Sequence, residues 1–169
     1  MRFLLRFILK PLSFVPAFLM MYIIFSFSAQ DGTTSSNLSY SVSYKAVSFA
    51  DRALDLELTD KQVARCIRRI HFYVRKLAHF SEYFLLAVTI AFPLYVYGIR
   101  GIWIVITGGI LCVGFAALDE LHQYFVSGRS CSARDVLIDS CGSLFGILCV
   151  RIFGYIGRKT IFEPLSRRR

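Results

Sequence analysis

The sequence predicts an all-α polytopic membrane protein: four transmembrane helices, with an amphipathic basic helix in the first outer loop. Three observations carry this. Of 169 residues, 56% are hydrophobic and only 18% charged, with a mean hydropathy of +0.55, whereas a soluble domain is nearer one half apolar and one quarter charged. The apolar excess is gathered into blocks close to the roughly 20 residues that cross about 30 Å of hydrocarbon. Hydrocarbon offers a backbone amide no partner, so such blocks must be helices. A cytosolic globular enzyme, a disordered chain and a disulfide scaffold are poor readings of this composition.

The spans follow in order. The first covers 12–28 and is preceded by Arg2, Arg6 and Lys10. It also has the outline of a signal peptide, with Ser26 and Ser28 small enough for a cleavage site. Its length favours a retained helix. The second span covers 77–97, with Pro93 expected to kink it near its end. Residues 97–101 then allow only a tight antiparallel turn into the third span, 102–118. The fourth covers 136–156, and a basic tail fills 157–169. The whole chain reads as one domain.

The loop 29–76 divides in two. Residues 31–43, rich in Ser, Thr, Gly and Asn, read as irregular chain. Beyond them Thr59 and Gln62 have the spacing of a capping box. Val63, Ile67, Ile70 and Val74 then recur at helical spacing, with Lys61, Arg65, Arg68, Arg69 and Arg75 around them. Such a helix feeds directly into the second span and either rests on lipid headgroups or gathers an anionic headgroup toward a site.

Four spans place both termini on one side. Lys and Arg divide ten to ten between the two sides, so the positive-inside rule alone is a tie. The basic flank of the first span and the run Arg158, Lys159 and 167–169 favour a cytoplasmic placement of both termini, against an anionic leaflet. A basic tail on four spans is a lipid anchor rather than a nucleic-acid surface. Membrane lipids are therefore the expected partners and the bacterial cytoplasmic membrane the expected location.

Polar groups within a span are costly, which makes them site candidates. Here they share one bilayer face. Lys76, His79 and Glu82 open the second span; Asp119, Glu120, His122 and Gln123 close the third; Asp135 and Asp139 open the fourth. Arg129 and Arg134 lie in the link between the third and fourth. Spacing of three pairs Asp119 with His122 and Glu120 with Gln123. Asp135, Asp139, Gly142 and Gly146 form one stripe on the fourth helix, acidic above and glycine below. The glycines have the GxxxG spacing that lets helices approach closely. The acids, imidazoles and guanidiniums are expected to converge on a shared cavity beside the headgroups.

These motifs also carry a resemblance. FSFSAQ (25–30) before a Ser-rich stretch, RKLAHFSEY (75–83), DELHQYF (119–125), Gly128 with Arg129, Asp135 and Gly142 resemble the VanZ-like family across most of the chain. The resemblance implies a bacterial integral membrane protein of about four helices. It also implies a link to low-level resistance to glycopeptides such as teicoplanin. It supplies no reaction and no catalytic residues. Glu120, Gln123, Asp135 and Gly142 match the motif most firmly; His79, Asp119 and His122 belong to the wider family rather than to the resistance protein.

Three chemistries fit the residues. Imidazole with carboxylate suits Zn, Mn or Fe, but no HExxH or paired-His spacing is present, so no metal ligand is assigned. Acid–base work is the second: His79, Glu82, Asp119, Glu120, His122, Gln123, Asp135 and Asp139 are the catalytic candidates, with Lys76, Arg129 and Arg134 as clamps for a phosphate or carboxylate. The third is structural, the same charges pairing to tie helix ends together. A lipid-linked cell-wall precursor, an anionic phospholipid or a glycopeptide is the matching ligand class. Cys66 and Cys131 are close enough in predicted sidedness to pair, though five cysteines and no CxxC argue for no framework. No Gly-rich phosphate loop, GxSxG elbow or internal repeat occurs, and no cofactor is expected.

Overall fold

The computed structural model describes residues 11–160, with side chains through Ile156. The basic flank Arg2, Arg6 and Lys10 and the residues 161–169 lie outside the described residues, as do the side chains of Arg158 and Lys159. Five helices follow in order: α1 Val15–Ser28, α2 Gly32–Leu54, α3 Asp60–Val96, α4 Ile102–Tyr124 and α5 Ala133–Thr160. No strand occurs among the described residues. Pro16 stands in the first turn of α1, where a missing amide costs no helical hydrogen bond. The helices α3, α4 and α5 are each long and apolar enough to cross a bilayer; α1, at 14 residues, is apolar but shorter. The chain is thus a helical membrane protein.

The core lies between α3, α4 and α5. Tyr83, Leu86, Ala87, Ile90 and Ala91 of α3 are buried against Cys112 and Ala116 of α4 and Ile147 of α5. The outward faces are apolar too: Phe18, Ile110, Leu137 and Phe153 are exposed, the surface that lipid rather than water covers. The turn into α4 works as expected. Gly98 at φ 95° and Gly101 at φ 64° occupy the left-handed region that glycine enters without a Cβ penalty. Pro93 lies inside α3, so the helix continues past it to Val96.

The closest helix pair is α3 with α5. A Cβ built on Gly142 would lie 2.3 Å from the Phe80 carbonyl oxygen, and one on Gly146 would lie 2.5 Å from that of Phe84. The GxxxG stripe is therefore a backbone-to-backbone contact.

The stretch 31–43 corrects the expectation of irregular chain: it is the first half of α2. Ser, Thr and Asn are weak helix formers because their side chains compete for the backbone, and here that competition is turned to use. Asp31 caps the helix, its Oδ1 accepting from the Thr33 amide (2.9 Å) and the Thr34 amide (2.8 Å). Ser39 and Ser43 hydroxyls donate back to the carbonyls of Ser35 and Ser39. Tertiary contact supplies the rest. Ser43 is fully buried, the Ser36 carbonyl lies 3.2 Å from His71 Nε2 of α3, and the Gly32 amide donates to the Ser127 carbonyl at 3.1 Å.

The basic amphipathic stretch is helical and feeds directly into the second span, as its pattern predicts. It is the first half of α3, which runs unbroken for 37 residues, about 55 Å at the helical rise. That exceeds about 30 Å of hydrocarbon, so one end of α3 stands outside it. An unbroken helix cannot cross the bilayer and then lie flat on it. Residues 60–75 instead pair with α2 as a helical hairpin, closed by Asp51, whose Oδ1 accepts from the Leu58 amide at 3.0 Å. Gln62 Oε1 accepts from the Thr59 amide at 2.8 Å, the reciprocal half of the capping box. All five cysteines are free; Cys66 is half-buried on the hairpin and Cys131 exposed in the link, and they do not pair.

The α2 cap makes a testable feature. Hydrogen bonds from the Thr33 hydroxyl, then from Thr34, hold the Asp31 carboxyl well below the usual carboxylate range. A depressed value means that the cap's contribution is fully present above about pH 4 and is lost only in stronger acid. Amide-exchange protection at Thr33 and Thr34 should be constant from neutrality to about pH 4 and should fall in Asp31→Ala.

Candidate functional site

The antiparallel course of the helices brings the C-termini of α1 and α4, the N-terminus of α5 and residues 76–82 of α3 to one end of the bundle. The polar residues singled out in the sequence all lie there. They do not share a single cavity: most divide into three groups, while Arg134 stands apart and Glu82 lines a cavity.

The first ties α1 to α4. The Ser28 hydroxyl donates to Asp119 Oδ2 at 2.8 Å, and Gln123 Nε2 donates to Asp119 Oδ2 at 3.0 Å and to Ser28 Oγ at 2.9 Å. All three side chains are buried. Asp119 therefore pairs with Gln123, one turn on, rather than with His122. The His122 ring stacks on Phe25 of α1, centroids 4.4 Å apart. Ser28 reads in the sequence as a span end, a small residue suited to a cleavage site and part of FSFSAQ, but not as a site residue; that motif is the available signal. Gln123→Leu should cost about 1–3 kcal/mol, because it leaves Ser28 and Asp119 buried with fewer partners. Thermal melting in detergent measures this.

The second group fixes the link between α4 and α5. Glu120 is buried, and its Oε2 accepts from the Ser132 amide at 2.7 Å. Glu120 thus holds the backbone just before α5 rather than pairing with Gln123. Arg129 Nη2 donates to the Phe27 carbonyl at 2.8 Å, joining the same link to α1. Arg134 is exposed and stands apart from these contacts.

The third group joins α3 to α5. Lys76 Nζ and Asp135 form a short ion pair, both side chains largely buried. His79 Nδ1 lies 3.7 Å from Asp139 Oδ1. Asp139 is fully buried, and neither of its oxygens has a hydrogen-bond partner among the described residues. The stripe 135, 139, 142, 146 explains the order: the glycines bring α3 close, and the acids one and two turns above meet its His79 and Lys76 side chains. Structural pairing therefore accounts for Lys76 with Asp135 and for Glu120.

A cavity of about 90 Å3 lies between α1, α2, α3 and the link. His79, Glu82 and Arg129 line it, together with Arg75, Ser28 and Ser39. A volume of this size admits several waters or one small polar group. Two guanidiniums, an imidazole and a carboxylate are the donor and acceptor set for an anionic headgroup with a proton to move. Burial first, and the neighbouring Arg75 charge second, pull the Arg129 pKa below its usual value. An anion between the two arginines relieves both. Arg75 reads in the sequence as part of a basic helix and as the first residue of RKLAHFSEY, not as a site residue; its place beside Lys76 is the clue. Among the described residues no group of three or more His, Cys, Asp or Glu side chains is arranged to hold a metal ion.

No curated protein and no solved structure matches the chain at a significant level. A family model described as VanZ/LLP1 matches residues 13–154. That range takes in α1 to α4, most of α5 and every residue of the three groups and the cavity, and on it the chain belongs to the VanZ/LLP1 family.

Proposed function

We propose that the chain crosses the bacterial cytoplasmic membrane four times, with both termini in the cytoplasm, and that the cavity at its outer end binds or acts on the anionic headgroup of a cell-envelope lipid or lipid-linked cell-wall precursor. One observation carries the reading. Arg75, Arg129, His79 and Glu82, from one helix and one link, line a single cavity at the end of a bundle of apolar helices. The fourth crossing is α1: Ala17, Ile24 and Ser28 are buried in the bundle, which suits a retained helix rather than a cleaved leader. The hairpin of α2 and the first half of α3 then stands in the outer headgroup region, its basic residues drawing anions toward the cavity. In this reading the two arginines clamp a phosphate or carboxylate, and Glu82 with His79 exchange a proton with it. A link to glycopeptide susceptibility would follow from altered envelope precursors.

The test compares lipid and cell-wall precursor profiles, and teicoplanin susceptibility, in cells carrying the wild-type chain, Glu82→Gln, Arg75→Gln or no copy. Both variants should reproduce the profile of the cells lacking the protein while its membrane abundance stays near wild type. Wild-type profiles in both variants at full abundance would overturn the reading. Should a profile change track only with loss of abundance, these residues are structural and the reading also fails.

A further inference from the structure

The opposite end of the bundle holds a larger and chemically different cavity, of about 440 Å3, between the N-terminus of α4 and the C-terminal part of α5. Ligand pockets commonly fall in this size range. It is lined by the polar side chains Arg100, Arg151 and Tyr95 and by the aliphatic side chains Ile104, Leu148 and Ile152. The Arg100 guanidinium sits 5.6 Å from the centre of the Tyr95 ring, and the Tyr95 hydroxyl is anchored on the Gly154 carbonyl at 3.0 Å. That arrangement orients Arg100 without neutralising it. Gly101 caps α4 at the same mouth, so the positive end of that helix adds to the field.

The charge balance there is one-sided. Of the eleven Asp and Glu residues, Glu163 lies outside the described residues, and the other ten lie at the first site or in the α2–α3 hairpin. Neither arginine forms an ion pair among the described residues. Two cations beside aliphatic side chains in one cavity, at the end of spanning helices, need a counter-charge joined to a hydrocarbon chain. Trp103, exposed at the same level, marks the depth of the interface, where amphipathic rings collect. We propose that this cavity is a binding site for one anionic phospholipid, its phosphodiester between Arg100 and Arg151 and the start of an acyl chain along Ile104, Leu148 and Ile152. A basic pocket between helix ends is the form such sites take. The proposal stands independently of the function of the first cavity.

Native mass spectrometry of the full-length protein in detergent, with phosphatidylglycerol and phosphatidylcholine of identical chains added at equal concentration, tests it. Wild type should retain phosphatidylglycerol in preference. The Arg100→Gln/Arg151→Gln variant should lose about 30-fold of that preference, the scale of two basic side chains at an anionic surface. Ile152→Trp keeps both charges but fills the aliphatic part of the cavity, and should lose the adduct while melting like wild type; it decides the matter if the double variant fails to fold. Arg75→Gln should leave the preference intact. Equal retention of the two lipids, an unchanged preference in the double variant or in Ile152→Trp, or loss in Arg75→Gln would each overturn the proposal. Complete displacement by millimolar inorganic phosphate would make it a soluble-anion site and overturn it too.

Discussion

Gly142→Leu should remove the folded protein from the membrane fraction. Even the first carbon of the new side chain would stand 2.3 Å from the Phe80 carbonyl oxygen, and that oxygen belongs to a helical backbone that cannot rotate away. Relief requires α3 and α5 to separate, which opens the core around Tyr83, Ala87 and Ile147. Overpacking typically costs about 1–3 kcal/mol; a backbone obstacle puts this change at the upper end, about 3 kcal/mol. Gly146→Ala meets the Phe84 carbonyl oxygen at 2.5 Å and should follow in the same direction with a smaller loss. Gly114→Ala supplies the control. Nothing lies within 4 Å of its added methyl, and replacing glycine within a helix favours folding by up to about 1 kcal/mol. Melting of detergent-solubilised protein, with fractionation for abundance, measures all three. Equal stability of Gly142→Leu and wild type would show that α3 and α5 do not pack as described.

Lys76→Met should destabilise by about 3 kcal/mol, and Asp135→Leu by a similar amount. Each leaves one charge of a largely buried pair without its partner, the case in which removing a single member is most damaging. The double variant Lys76→Met/Asp135→Leu should recover most of the loss, because two well-packed apolar groups avoid the desolvation cost of both ions. The coupling between the sites, read from the four melting curves, distinguishes a structural pair from a catalytic one. A pair engaged in chemistry would leave stability near wild type in the single variants and lose activity in each of them, with no recovery in the double. The same logic recasts Glu120. Its hydrogen bond to the Ser132 amide makes it a strut for the link, so Glu120→Gln tests folding more than function, and Glu82 is the better probe of the cavity.

Much of this was legible in the chain. Apolar blocks and the cost of unpaired amides in hydrocarbon settled helices, and the tight turn 97–101 settled an antiparallel neighbour. The stripe of Asp135, Asp139, Gly142 and Gly146 announced a close helix contact with acids above it. The failures have physical causes. Residues 31–43 lacked helical propensity, and the helix there rests on one cap and on packing against α3, neither of which local composition reveals. Spacing suggested Asp119 with His122 and Glu120 with Gln123, yet partners three residues apart are only candidates: Phe25 from α1 took His122, and the Ser132 amide took Glu120.

The sequence by itself determined the helical class, its membrane setting and the gathering of polar groups at one end, because periodicity and hydrophobic length act within a segment. Which of those groups pair, which line a cavity, and that Arg75 and Ser28 belong among them were decided only by tertiary structure. Such choices depend on the distance and rotation between helices, and these are set by a few contacts, glycine against backbone above all, that join residues tens of positions apart.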